Sequence, residues 1–264
     1  MNKTNPHSIL KTEELSIGYR GKNSETIIGK NINIDIFPGQ LIAVIGINGV
    51  GKSTLLRSLS GVQPYLSGKV YIDGKDLKHL QPLEQAALIS LVLTGQPVSQ
   101  NLRVFELVAL GRQPYTNWIG KLSTTDLRHI KKALRLVDIE NLENKKCYEL
   151  SDGQMQKVLI ARALAQDTPL VILDEPTTHL DMYHKAYVLQ LLKKLTRKTN
   201  KAIIFASHEI NLALQLCDKV LLMQKDEMVM GSPQELVKSG ALSKLFPADL
   251  IFFDESSSSF KIKS

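Results

Sequence analysis

Hydrophobic positions along the chain follow two rhythms, and the switch between them divides the sequence. Near the N-terminus Ile32, Ile34 and Ile36 alternate with Asn33 and Asp35, the period of a half-buried strand. Residues 41–45 form an unbroken apolar run that ends in glycine, as a strand buried on both faces does. A helix is expected from Ser53, with Leu55, Leu56 and Leu59 on one face. Residues 70–72 followed by Asp73-Gly74 read as a strand and a turn. Between about residues 96 and 150 the period becomes helical. Residues 101–110 are read as one helix. Ser123-Thr124-Thr125-Asp126 opens another, as a capping box with Asp in place of Glu or Gln, and Leu127, Ile130, Leu134 and Val137 then recur at helical spacing. Short apolar runs return at Leu170–Leu173, Ala202–Ala206 and Lys219–Met223, with helical stretches between them. Strands alternating with helices predict a mostly parallel sheet covered by helices on its faces. Residues 250–253 and 260–262 are expected to pair back across a turn at 256–259.

Composition narrows the class. The chain has 264 residues, 43% hydrophobic and 22% charged, enough apolar material for a large core. No run approaches the roughly 18 consecutive apolar residues that span a bilayer. The segment 1–7 lacks the apolar stretch of a secretory signal, so a cytosolic address is expected. Cys147 and Cys217 have no metal-type spacing and read as structural thiols. The net charge is +7, yet the lysines are scattered and no aromatic residues interleave with them, which argues against a nucleic-acid partner.

Two clusters carry chemistry. Residues 46–53, Gly46-Ile47-Asn48-Gly49-Val50-Gly51-Lys52-Ser53, match the G-x-x-x-x-G-K-[ST] phosphate loop, with Thr54 following. Gly46, Gly49 and Gly51 let the backbone wrap closely, so that successive N–H groups, that of Asn48 among them, face phosphate oxygens. The loop opens a helix, whose N-terminus favours anions. Lys52 supplies a charge for the β- and γ-phosphates, and the Ser53 hydroxyl is placed to ligate Mg²⁺. Downstream, Leu170–Leu173 ends in Asp174-Glu175. A buried strand delivers these carboxylates to the sheet edge where open α/β folds bind ligands. Asp174 would hold Mg²⁺ and Glu175 would polarise an attacking water, with a helix cap as the alternative use of such acids.

The residues between these clusters resemble a known family. Leu150-Ser151-Asp152-Gly153-Gln154 lies just upstream, with Ser151 23 residues before Asp174, and is similar to the signature motif of ABC (ATP-binding cassette) ATPases. Asp152 departs from it, standing where the family has glycine. His179-Leu180-Asp181 resembles the family's D-loop, His208 its switch histidine, and Tyr19 the aromatic residue that stacks on adenine. Gln96 stands for the family's Mg²⁺-sensing glutamine, one position late when aligned on the strand at 91–93.

The resemblance implies a P-loop α/β fold within one domain, 1–264. Residues 12–95 and 151–235 would form the nucleotide-binding core, with an N-terminal antiparallel β part. Residues 96–150 would form the helical signature subdomain, and 236–264 a short C-terminal extension. It also implies ATP hydrolysis with Mg²⁺, held by Ser53, Gln96 and Asp174. Two copies would stack head-to-tail, with Ser151, Gly153 and Gln154 of one meeting ATP in the other. Two transmembrane permease subunits, and a solute-binding protein acting through them, would complete the assembly at the cytoplasmic face of the plasma membrane. Residues 104–115, Val-Phe-Glu-Leu-Val-Ala-Leu-Gly-Arg-Gln-Pro-Tyr, are similar to the helical subdomain of ATPases serving ferric-siderophore, haem and cobalamin importers. A soluble ABC-type ATPase or a regulatory nucleotide-binding module remains the alternative.

Overall fold

The computed structural model describes residues 7–22, 24–93, 99–225, 227–246, 249–255 and 257–263. In chain order the elements are β1 (Leu10–Arg20), β2 (Glu25–Ile32), β3 (Asp35–Ile36), β4 (Leu41–Gly46), α1 (Lys52–Leu59), β5 (Ser67–Ile72), β6 (Lys75–Asp76), α2 (Pro82–Leu88) and β7 (Ile89–Val92). The helical stretch brings α3 (Val104–Ala109), α4 (Thr124–Leu136) and α5 (Asp152–Ala165). Then follow β8 (Leu170–Leu173), α6 (Met182–Thr199), β9 (Ala202–Ala206), α7 (Ile210–Leu216), β10 (Lys219–Met223), β11 (Met228–Gly231), α8 (Pro233–Lys238), β12 (Ile251–Asp254) and β13 (Ser259–Ile262).

The larger sheet runs β11-β10-β4-β9-β8-β7, parallel throughout except for the antiparallel edge strand β11. Its central strands are apolar at every position because both faces are covered. Leu41, Ala43 and Ile45 of β4, Val171 and Leu173 of β8, and Ile203 and Phe205 of β9 pack toward the helical side with residues of α3 to α7. The intervening Ile42, Val44, Leu170, Ile172 and Ile204 pack on α1 and the N-terminal sheet. Full burial of each such side chain contributes about 1.5–3 kcal/mol. The second sheet, β2-β1-β5-β6 with β3 beside β1, is wholly antiparallel. The expected hairpin of β12 and β13 is present.

Four expectations need correction. The alternation at Ile32, Ile34 and Ile36 holds as a burial pattern, but the strand is split between β2 and β3. At the break the Thr12 hydroxyl donates to Ile32 O and accepts from Ile34 N, standing in for ladder bonds. The helix read over 101–110 is shorter: α3 begins at Val104, and a 3₁₀ segment continues it from Leu110 to Tyr115. Its start is fixed by Glu106, whose carboxylate accepts from Arg103 N at 2.7 Å. Leu127 is exposed, so the buried stripe of α4 is Asp126, Ile130, Ala133 and Leu134. The helical layer also runs past residue 150, because α5 packs on α3 and α4.

Asp126 is buried because it has partners. Its Oδ2 accepts from the Ser123 backbone N and hydroxyl, and its Oδ1 accepts from Arg112 Nε at 2.8 Å. Arg112 also donates to Ala165 O at the end of α5 and lies 4.0 Å from the Tyr115 ring centroid. One ion pair thus braces the 3₁₀ segment, α4 and α5 together. Both cysteines are buried free thiols, and burial pushes Cys217 up to about 12. Among the described residues no helix is long and apolar enough to cross a membrane.

Candidate functional site

The C-terminal ends of β4, β8 and β9 deliver loops to one open cleft of about 360 Å³. Tyr19, Asn48, Gly49, Gly51, Lys52, Ser53, Thr54, Glu175 and His208 line it. The loop after β4 turns through Gly49 (φ +77°) and Gly51 (φ +108°), in the region side chains disfavour. A Cβ at Gly51 would also run into Ile28, whereas Gly49 stands free, so its glycine serves conformation alone. Gly46 instead lies against Met223 of β10, where a Cβ would come 2.5 Å from a carbonyl oxygen.

Lys52 folds back over the loop. Its Nζ donates to Gly46 O at 3.0 Å and Ile47 O at 3.2 Å and lies 3.5 Å from His208 Nδ1. Burial pushes its pKa down, against the pull of Glu175 and Asp174. The Ser53 hydroxyl donates to Asp174 Oδ1 at 2.9 Å, and burial pushes the Asp174 carboxyl up. Asp174 is fixed at the end of β8 by its own N–H bonding Val92 O. Glu175 has φ +48°, a strained conformation for a side-chain-bearing residue. Its carboxylate is gripped from two sides, by Thr178 Oγ1 at 3.1 Å and His208 Nε2 at 2.8 Å. With an ammonium facing Nδ1, the proton on His208 sits at Nε2, toward Glu175. Thr178 was not foreseen; the strained turn that brings it back onto Glu175 leaves no mark in the hydrophobic pattern.

Tyr19, from β1, puts its hydroxyl 2.9 Å from Thr54 Oγ1 and leaves half of its surface exposed. Ser151, Gly153 and Gln154 are elsewhere, at the start of α5, and none of them lines the cleft. Ser151 is an exposed N-cap, and Asp152 is exposed in the first turn, where a carboxylate is favourable. Asp181 caps α6 and is likewise exposed. Gln96 lies outside the described residues.

The cleft suits a phosphate with a hard cation. Lys52 and Asp174 are both desolvated, and burial disfavours the charged form of each. A phosphate beside Lys52, and Mg²⁺ beside Ser53 and Asp174, would restore what burial removes. The two oxygens bonded to each other there are of the type Mg²⁺ prefers.

Comparison with known proteins agrees with this chemistry. A family model described as ABC transporter matches residues 29–178, from within β2 to Thr178. The chain belongs to the ABC transporter family. It is an ATP-hydrolysing cassette, and ATP is its substrate. An uncharacterised ABC transporter ATP-binding protein of Methanocaldococcus jannaschii is 37% identical over 257 residues, covering 97% of this chain and 87% of the relative. The achromobactin transport ATP-binding protein of Dickeya dadantii is 37% identical, covering 91% and 88%. The ferric enterobactin transport ATP-binding protein of Escherichia coli is 32% identical, covering 93% and 90%. Among solved structures, a chain of an inward-facing ABC transporter described as metal-chelate type superposes with a TM-score of 0.78 at 30% identity, covering 96% of this cassette and 95% of that chain. A dimeric ATP-binding cassette with ADP and Pi, in a post-hydrolysis state, gives 0.71 at 27% identity, covering 84% and 98%.

Proposed function

We propose that this cassette energises an importer of iron complexes, ferric siderophores or haem, or of cobalamin, at the cytoplasmic face of the plasma membrane. Two copies would work on two transmembrane permease subunits, fed indirectly by a solute-binding protein. The observation that carries the mechanism is the division of the site. Lys52, Ser53, Glu175 and His208 line one cleft, with Asp174 held against it by Ser53, while the turn of exposed Ser151 and buried Gly153 lies outside it. A turn that lies outside its own cleft, with Ser151 exposed, would be free to serve the cleft of a second copy.

Within the cleft, the Tyr19 ring would stack on adenine, and the Gly46–Thr54 backbone and Lys52 would hold the phosphates. Ser53 and Asp174, with Gln96, would hold Mg²⁺, which supplies charge neutralisation to the phosphate oxygens. Glu175 would accept a proton from the attacking water. His208, already bonded to Glu175, would keep that carboxylate oriented and meet the terminal phosphate. Ser151, Gly153 and Gln154, with Asp181 beside them, would close over the phosphate from the partner copy.

The cargo reading rests on residues 104–115 and on the relatives named for achromobactin and ferric enterobactin. Its test is reconstitution of the cassette with its copurifying membrane subunits in liposomes. ATP-dependent uptake of a ferric siderophore, haem or cobalamin is expected. Uptake of none of the three would remove the cargo assignment and leave the ATPase.

A further inference from the structure

The first turn of α6 contacts the turn of Gly153 on one side and Glu209, the neighbour of His208, on the other. Asp181 Oδ1 accepts from His184 N at 2.8 Å and lies 2.8 Å from His184 Nδ1. An ionised carboxylate only accepts, so Nδ1 carries the proton and the ring is held in one orientation. Tyr183 stands edge-on to it, with centroids 5.4 Å apart. The ring lies over Gly153, where a Cβ would sit 2.8 Å from His184 Cδ2 and 3.5 Å from Nε2. Gly153 is therefore buried beneath a side chain that is itself 47% exposed. The turn's own cap is slack: Gln154 N reaches Ser151 Oγ at 3.4 Å, and Ser151 N reaches Gln154 Oε1 at 3.2 Å. One residue beyond His184, Lys185 donates to Glu209 Oε1 at 2.6 Å, and Glu209 is the neighbour of His208.

We propose that His184 is a positioning residue that sets the turn carrying Ser151 and Gly153, and that Lys185 ties the same helical turn to the loop of His208. The inference rests on the reading that ATP is enclosed between two copies. The physical ground is the contrast between a slack cap and a pinned ring. A free imidazole would swing away from an added Cβ, but one bonded to Asp181 cannot do so without breaking that bond. Glycine at 153 is then needed to make room for the ring. The contacts Gly153–His184–α6–Lys185–Glu209–His208 join the turn that serves the partner's ATP to the cleft that holds the chain's own.

The test uses the full chain in a Glu175→Gln background, with two readouts: ATP affinity at low protein concentration and ATP-driven dimerisation by light scattering. His184→Ala is expected to leave affinity within about twofold and to weaken dimerisation about tenfold, a loss of roughly 1.4 kcal/mol. Gly153→Ala alone should weaken it at least as much. Gly153→Ala added to His184→Ala should cost little more, because the space is then free. Lys185→Ala should act in the same direction, by about two- to threefold. Unchanged dimerisation in His184→Ala, or an equal Gly153→Ala defect with and without the ring, would overturn the proposal. Dimerisation that survives Ser151→Arg would remove the two-copy reading itself, an outcome distinct from failure of His184 alone.

Discussion

Asp174 in the cleft and Asp126 in the helical layer are almost equally buried, 2% and 3% exposed, yet their carboxyls move in opposite directions. Asp126 is pulled down to about 2, chiefly by the Ser123 hydroxyl and then by the Ser123 N–H and Arg112, against the cost of burial. Asp174 goes up, because burial outweighs its single bond from Ser53, and Glu175 adds a like charge. Lys52 shows the same pattern with opposite sign. The Arg112–Asp126 pair completes its charges within the chain and becomes a brace. The cleft leaves its charges incomplete, and a bound nucleotide with its cation would supply what is missing.

The largest expected effect falls on the cleft's chemistry. Glu175→Gln should lower ATP hydrolysis by about 10²- to 10⁴-fold, the usual share of a general base, while ATP binding persists. Measured turnover close to wild type would take Glu175 out of the base role and leave its strained backbone unexplained.

The same substitution at the two aspartates should separate brace from site. Asp126→Asn leaves Arg112 buried without its counter-charge and should cost about 3–5 kcal/mol in denaturant unfolding. Asp174→Asn removes a desolvated charge and should change stability by less than about 1 kcal/mol while abolishing hydrolysis. Similar losses at both positions would break the comparison. Acid should show it too. The folded Asp126 carboxyl lies below its ordinary 3.8, so its contribution is fully present above that value and is lost as pH falls toward about 2. Asp174 lies above 3.8 in the fold, so its protonation favours the folded chain as pH falls through its raised value toward 3.8. Asp126→Asn should therefore flatten the acid limb of the stability curve, and Asp174→Asn should not.

The two regions also differed in how far the sequence disclosed them. The strands β4, β8, β9 and β10 and the phosphate loop were legible because buried parallel strands and phosphate chemistry each impose a local residue pattern. The cap at Ser123 was legible for the same reason. The partner of Asp126 was not, since an Arg112–Asp126 pair is made by folding one layer onto another and no periodicity announces it. That pair also explains why Leu127 is left outside: α4 turns its acid inward instead. The contact of His184 with Gly153 joins residues 31 positions apart and is set by where α6 begins, which neither motif encodes.

Tyr19 offers the smallest and most discriminating prediction, because it belongs to both descriptions. Its hydroxyl is satisfied within the chain by Thr54, as the brace is, while its half-exposed ring faces the cleft. If the ring's task is to stack on a base, the hydroxyl only orients it. Tyr19→Phe removes one solvent-accessible hydrogen bond, worth about 0.5–1.5 kcal/mol, from a ring that can keep its place. ATP affinity should then fall by no more than about threefold. Tyr19→Ala removes the stacking face, worth about 1–3 kcal/mol per base, and should weaken ATP about tenfold. GTP affinity should fall in parallel, since stacking hardly distinguishes the purines. If Phe were as damaging as Ala, the bond to Thr54 would be what holds the start of α1 in place, and Tyr19 would belong with the brace.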